Sequence, residues 1–237
     1  MNFRERHVIV TGGAGALGTA VVGALVEAGA ICHVPCLDEA DAARFRFRDH
    51  KQVVVTVTGS LAGEAAIDRY YQGIAPLWAS IHIAGGFAAG PLRETTEAAI
   101  RRQLDMNLLS CMLCCRAAIR AMSGGNGRTS GGGRIVNVAA RPALEWRSGA
   151  GMTAYAVSKA AVAALTVALA QEVVKDGILV NAIAPSIMDT AANRQAMPKA
   201  DYALWPKVEE VAATIVFLAS PENRVTRGAV VPVYGKS

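Results

Sequence analysis

The stretch VIVTGGAGALG, Val8 to Gly18, sets a β-branched apolar run directly before a cluster of glycines and then the start of a helix near Ala16. A glycine-rich turn gains meaning in this setting, where a buried strand feeds a helix N-terminus. Gly12 can take the tight turn, backbone amides near Ala16 and Leu17 can face a pyrophosphate, and Gly18 lets helix and strand pack closely. The stretch therefore predicts the opening strand, phosphate turn and first helix of a dinucleotide-binding sheet.

Outward from it, short β-branched runs alternate with helical stretches, the pattern of a parallel sheet with crossover helices. Strands are expected over 7–11, 31–36, 52–57, 77–83, 134–138, 178–183 and 229–233. Helices are expected over 16–28, 39–47, 62–73, 95–122, 152–175 and 208–219, the fourth with a break near Arg102. The segment SGGNGRTSGGG, 123–133, predicts a mobile connection into the fifth strand rather than a domain boundary. A chain of 237 residues with this alternation predicts an α/β fold: one doubly wound, seven-stranded parallel sheet with helices on both faces, forming a single domain over 1–237.

Composition narrows the function classes. Hydrophobic residues make up 52% and charged residues 18%, which suits a large core and argues against disorder. The net charge of +5 is scattered, with no basic stripe interleaved with aromatics, so nucleic acid is not an expected partner. The apolar region 14–34 is interrupted by glycines, Glu27 and His33, and lacks the basic start and cleavage site of a signal peptide, so no membrane association is expected. Five cysteines, at 32, 36, 111, 114 and 115, sit in apolar stretches and predict buried reduced thiols and a cytoplasmic location. Cys111 and Cys114 spell CxxC, but the other half of a zinc set is missing and the histidines at 7, 33, 50 and 82 look isolated, so no metal is expected.

The candidate chemistry lies in TAYAVSKAAVAAL, where Tyr155 and Lys159 stand four residues apart. Such residues share one helical face, and a nearby ammonium favours the phenolate, lowering the phenol pKa. The pair predicts a tyrosine able to trade protons near neutral pH.

Together these motifs resemble the short-chain dehydrogenase/reductase family, nearly end to end. The family pattern TGxxx(A/G)xG is matched by Thr11 to Gly18, and the alanine-glycine turn after the fourth strand by Ala84 and Gly85. Asn107 matches the helix asparagine, Tyr155 and Lys159 the YxxxK pair, and Pro185 and Thr190 the PGxxxT segment after strand six. The resemblance implies a Rossmann-type fold, NAD(P)H as cofactor and a small-molecule substrate. It also implies that Lys159 binds the nicotinamide ribose and that Tyr155 is the general acid in hydride transfer. Asn107 would hold a water in the proton relay, while Thr190 and the backbone at Ile187 would position the carboxamide. A homodimer or homotetramer, built through the two long helices, is implied as well.

The chain departs from the family at telling places. After RIVNV stand Ala139 and Ala140 where the family usually has Ser-Ser or a near equivalent, so the donor to the substrate oxygen is missing. Removing one such donor typically costs about 2.7–4 kcal/mol of transition-state stabilisation. Arg141, Trp146, Ser148 and Thr153 are the donors available nearby to replace it. Ile83 replaces an amide in HIAG. Cys36 ends the second strand where NAD-specific members place an acid, and Asp38 follows two residues later. Asp38 could hold a ribose hydroxyl, whereas Arg44 or His33 could accept a 2′-phosphate, so NAD and NADP both stay open.

A subgroup with alanine at the serine position is dihydropteridine reductase, and the chain is similar to it in three further places. These are Met188 to Trp205, Ala84 to Gly86 followed by Phe87, and the pair Gly151 and Met152; Asn107 is a difference from it. A quinonoid ring spreads incoming electrons over conjugated nitrogens and needs a proton donor more than an oxyanion hole. Trp146, Met152 and Trp205 are then candidates to line a pocket for a flat substrate. The leading expectation is an NAD(P)H-dependent reductase of a conjugated heterocycle. The alternatives are a keto reductase using Ser148 or Thr153 in place of the serine, and a nucleotide-sensing protein without chemistry.

Overall fold

The inner apolar runs of the sequence become strands buried on both faces, because alternate side chains enter different cores, whereas the runs over Val53–Val57 and Val230–Val233 stay partly exposed. The computed structural model describes residues 1–74, 76–123 and 132–237. Among these residues seven strands form: β1 (His7–Thr11), β2 (Ile31–Cys36), β3 (Val53–Val57), β4 (Leu77–His82), β5 (Arg134–Val138), β6 (Leu179–Pro185) and β7 (Val230–Val233). All neighbours are parallel and the order is β3-β2-β1-β4-β5-β6-β7. Most of the expected connection over 123–133 lies outside the described residues.

The helices are α1 (Ala16–Glu27), α2 (Glu39–Arg44), α3 (Glu64–Gln72), α4 (Glu97–Leu104), α5 (Ser110–Ser123), α6 (Thr153–Glu172), α7 (Ala191–Ala196) and α8 (Val208–Ala219). On one face of the sheet Val8, Val10 and Val34 pack with Val21 and Leu25 of α1 and Val211 and Ile215 of α8. On the other, Ile9, Ile135 and Val180 pack with Ala118 of α5 and Val162 and Leu169 of α6. Burial of each such side chain is worth about 1.5–3 kcal/mol, which holds the three layers together.

One expected element differs and one element is added. The helix expected to break near Arg102 instead breaks at a π-type turn over Asp105–Leu109, joining α4 to α5 and containing Asn107. Such a turn inserts one residue into the helix, a local phase shift that spans only five residues here. Helix α7 was not expected; it is one short stretch, started by Thr190, whose hydroxyl accepts the Asn193 N–H.

Strand order reverses between β1 and β4, so their onward connections leave toward opposite edges and a crevice opens above their C-terminal ends. Gly12 closes this end of β1 at φ +68°, and a Cβ there would lie 2.7 Å from the backbone nitrogen of Ala84. Gly59 has a similar φ of +75° with open space around it. Gly12→Ala is therefore expected to lower unfolding free energy by about 1–3 kcal/mol more than Gly59→Ala in urea titrations. Equal losses would remove the close approach of β1 to β4 as the constraint.

Candidate active site

The crevice is built on one side by the start of α1. Gly15 precedes the helix in extended conformation and no side chain caps the first turn, so the leading amides, near Ala16 and Leu17, keep their hydrogens for a ligand. A Cβ on Gly18 would collide with the Gly12 carbonyl oxygen, so only glycine lets the turn fold under the helix. Across the crevice, Thr11 Oγ1 accepts the Ala84 N–H at 3.2 Å, tying the ends of β1 and β4.

Behind Ala84 and Gly85 the π turn aims Asn107 at the loop after β4. Its Oδ1 accepts the Gly86 N–H at 2.8 Å and its Nδ2 donates to the Gly86 carbonyl and to Ser158 Oγ, each at 3.0 Å. Ser158 Oγ donates in turn to the Tyr155 carbonyl at 2.7 Å, linking this loop to α6. Ser158 was not singled out in the sequence; its only signal is a small polar residue inside an apolar helix. A Cβ on Gly85 would lie 2.6 Å from Asn107 Oδ1 and 3.4 Å from Lys159 Nζ, which places the amide and the ammonium together behind that glycine.

Lys159 is 6% exposed, and its Nζ donates to the Val138 carbonyl at 2.8 Å. Burial pushes this ammonium down to about 8. Tyr155 stands edge-on to Phe87, ring centroids 5.0 Å apart, and burial pushes its phenol up to about 12. The expectation of a phenol acidified by Lys159 is thus reversed in this structure, because desolvation dominates and the ammonium is directed at Val138. The phenol holds its proton at neutral pH.

Other predicted positions are placed as follows. Asp38 sits past the end of β2 and caps α2, accepting the Asp41 N–H at 2.7 Å. Arg44 is paired with Asp41 at 2.6 Å. His33 cannot face the crevice mouth: it lies mid-strand, with Nε2 2.8 Å from His7 Nδ1. Nor is His82 isolated, since it lies against Cys111 and Cys115 in the core. Pro185 ends β6, Ile187 is half-exposed, and Thr190 caps α7. Met152 directly precedes α6, and Trp146 is 78% exposed. Trp205 is buried against Tyr202, centroids 5.1 Å apart, so it packs the segment after β6 instead of lining an open pocket.

Ala139 and Ala140 are both buried, with Ala139 N–H bound to the Ile183 carbonyl as a continuation of β5. Three of the four possible replacement donors turn back into their own loop. Arg141 bonds Glu145 at 2.7 Å, Trp146 Nε1 donates to the Ala143 carbonyl at 3.2 Å, and Ser148 Oγ to the Glu145 carbonyl at 2.7 Å. Thr153 has no side-chain hydrogen bond among the described residues, but it stands two residues before Tyr155 on α6, and i,i+2 side chains do not share a helical face.

A glycine cradle at a switch point, uncapped amides above it and a buried ammonium beside a phenol suit a dinucleotide. Lys159 supports this directly, since an ammonium has three hydrogens to place and one protein acceptor takes one of them. This arrangement defines an oxidoreductase that works on a nicotinamide dinucleotide. The family model described as short chain dehydrogenase matches residues 6–201. Galactitol 2-dehydrogenase of Rhizobium johnstonii is 35% identical, covering 96% of this chain and 93% of that protein. Cis-4-hydroxycyclohexanecarboxylate dehydrogenase of Sinomonas cyclohexanicum is 32% identical over 98% and 96%. A solved short-chain type dehydrogenase/reductase from Mycobacterium ulcerans superposes with a TM-score of 0.88 at 26% identity, covering 100% of this chain and 90% of that one. The chain belongs to the short-chain dehydrogenase/reductase family, with NAD(P)H as its cofactor.

Asn107→Ala would leave the Gly86 N–H and carbonyl and Ser158 without their partner. A loss of about 1–3 kcal/mol in unfolding free energy is expected, with faster hydrogen exchange at the Gly86 amide. Unchanged exchange there would show that the clamp does not hold the loop.

Proposed function

We propose that this chain is an NAD(P)H-dependent reductase of a conjugated heterocycle, a quinonoid dihydropteridine being the type of substrate meant. The observation carrying this reading is alanine at 140, with three of the four nearby donors, the Ser148 hydroxyl, the Trp146 indole and the Arg141 guanidinium, bonded within their own loop. A delocalised acceptor needs a proton at one atom and little stabilisation of an oxyanion.

The bound nicotinamide supplies the hydride. The glycine turn and the first turn of α1, through Gly12, Ala16, Leu17 and Gly18, would bind the pyrophosphate; Asp38 would hold the adenosine ribose, while Ala84 and Gly85 form the crevice floor. Pro185, Ile187 and Thr190 hold the carboxamide side. Lys159 binds the nicotinamide ribose with the hydrogens it does not give to Val138. Tyr155 donates its phenolic proton to the substrate nitrogen. Phe87, edge-on to that ring, supports a flat molecule lying against it, and Trp146 and Met152 would border that molecule. Asn107 spends both amide hydrogens on Gly86 and Ser158 and keeps one Oδ1 lone pair for a water beside Lys159. Residues 1–237 act as one oxidoreductase domain, cytoplasmic and with its cysteines reduced, assembled as a homodimer or homotetramer.

A second reading, a reductase or dehydrogenase of a keto–alcohol pair, is favoured by relatives whose names describe dehydrogenation of galactitol and of cis-4-hydroxycyclohexanecarboxylate. Turnover of a quinonoid dihydropteridine against a panel of ketones and alcohols separates the two. Faster ketone turnover would overturn the first reading.

Tyr155→Phe is expected to lower kcat by roughly 10²–10⁴ with dinucleotide affinity unchanged, measured by steady-state rates and fluorescence titration. Ala140→Ser is expected to raise ketone reduction by about 10²–10³ without improving pterin reduction. The pH profile follows from the ammonium: Lys159 is charged below about 8 and loses its charge above, while Tyr155 stays protonated to about 12. Reductive kcat/KM should therefore fall as pH rises through about 8, and a flat profile to pH 10 would contradict the role given to Lys159.

A further inference from the structure

Under the crevice floor, on the α5 side of the sheet, lies a group of side chains for which the proposed reaction has no use. His82 ends β4, and Cys111 and Cys115, four residues apart, face it from α5. Asn137 stands beside His82 at the paired position of β5. All four are buried, and the imidazole nitrogen and both sulfurs lie within 4.8 Å of one another.

The orientation of the amide is settled by its far side. Asn137 Nδ2 donates to Thr166 Oγ1 at 2.9 Å, and that hydroxyl donates onward to the Val162 carbonyl at 2.8 Å. Asn137 Oδ1 therefore faces the cluster, where it meets His82 Nδ1 at 2.8 Å, Cys111 Sγ at 3.4 Å and Cys115 Sγ at 3.5 Å. Three donors converge on an oxygen with two lone pairs.

We propose that these four side chains form a zinc(II) site, ligated by Cys111 Sγ, Cys115 Sγ, His82 Nδ1 and Asn137 Oδ1. With Zn–S near 2.3 Å and Zn–N and Zn–O near 2.0–2.2 Å, a tetrahedron sets neighbouring donors about 3.4–3.8 Å apart. Three edges already have that length: sulfur to oxygen at 3.4 and 3.5 Å, and Cys115 Sγ to His82 Nδ1 at 3.5 Å. The nitrogen–oxygen edge, at 2.8 Å, must open by roughly half an ångström, and the two edges from Cys111 Sγ to Cys115 Sγ and to the imidazole start within 4.8 Å. Both thiols release their protons to solvent on binding, and the two thiolates neutralise the dication, which a dry core requires. A monovalent soft cation would leave a net negative charge, and a hard cation would reject the sulfurs. The imidazole moves its proton to Nε2, which then donates to Ser80 Oγ at 2.8 Å, itself 2.8 Å from the Tyr71 hydroxyl. Such outer partners orient a ligating histidine. Metal here ties β4 to α5, the helix continuing from the turn that carries Asn107.

The test uses the reduced full chain titrated anaerobically with cobalt(II), then with zinc(II). Expected are thiolate charge-transfer bands and the intense visible bands of tetrahedral cobalt, saturating at one ion per chain and erased by one equivalent of zinc. Cys114→Ser, at a buried cysteine outside the group, should keep the bands, whereas Cys111→Ser and Cys115→Ser should lose them. Absence of thiolate bands from the wild-type chain at saturating cobalt overturns the site, whether or not any variant folds. Bands that persist in the Cys111→Ser, Cys115→Ser double variant overturn it equally.

Discussion

The crevice is organised around a buried ammonium that has one hydrogen-bond acceptor among the described residues. Lys159 is almost wholly removed from water, and the Val138 carbonyl at 2.8 Å accepts one of its three hydrogens. Burial of a charge is costly unless it is paired and hydrogen-bonded, which explains why its affinity for the proton falls to about 8. Ligand hydroxyls arriving in the crevice can meet that demand. The energetic logic runs from the folded core, which buries the ammonium, to a ligand that completes its bonding.

The remaining parts hold that geometry. Gly12 and Ala84 approach so closely that the ends of β1 and β4 act as one floor, and Thr11 locks it with its hydroxyl. The π turn adds one residue to the helix at the point where Asn107 must reach back to Gly86, and Ser158 couples that amide to α6. Tyr155 and Lys159 thus stand on a helix tied to the loop after β4 and to the end of β5. What the site lacks is a hydroxyl at position 140, and the substrate class proposed above rests on that alanine.

Much of this was legible in the residues. The strands and the glycine turn followed from apolar runs and from the placing of Gly12 and Gly18, and each strand lies within two residues of its expected bounds. The π turn was not legible, because α4 and α5 each keep a helical spacing and the phase shift between them is confined to five residues. Nor was α7, six residues whose start depends on the Thr190 hydroxyl meeting the Asn193 amide. The sign of the Tyr155 shift is not legible, because four-residue spacing reveals the neighbour but not the desolvation. Trp205 was misplaced for a related reason: an aromatic ring in sequence carries no label saying whether it faces a pocket or Tyr202. His82 looked solitary because its partners lie on α5, distant in sequence and adjacent only once the sheet has formed.

The most direct measurement is the dissociation constant of NAD(P)H for the wild-type chain and for Lys159→Met, which keeps the apolar stem and removes the ammonium. If the buried cation is completed by the cofactor ribose, affinity should fall at least about tenfold, the equivalent of one charge-assisted hydrogen bond. Equal affinities in the two proteins would contradict the account at its base.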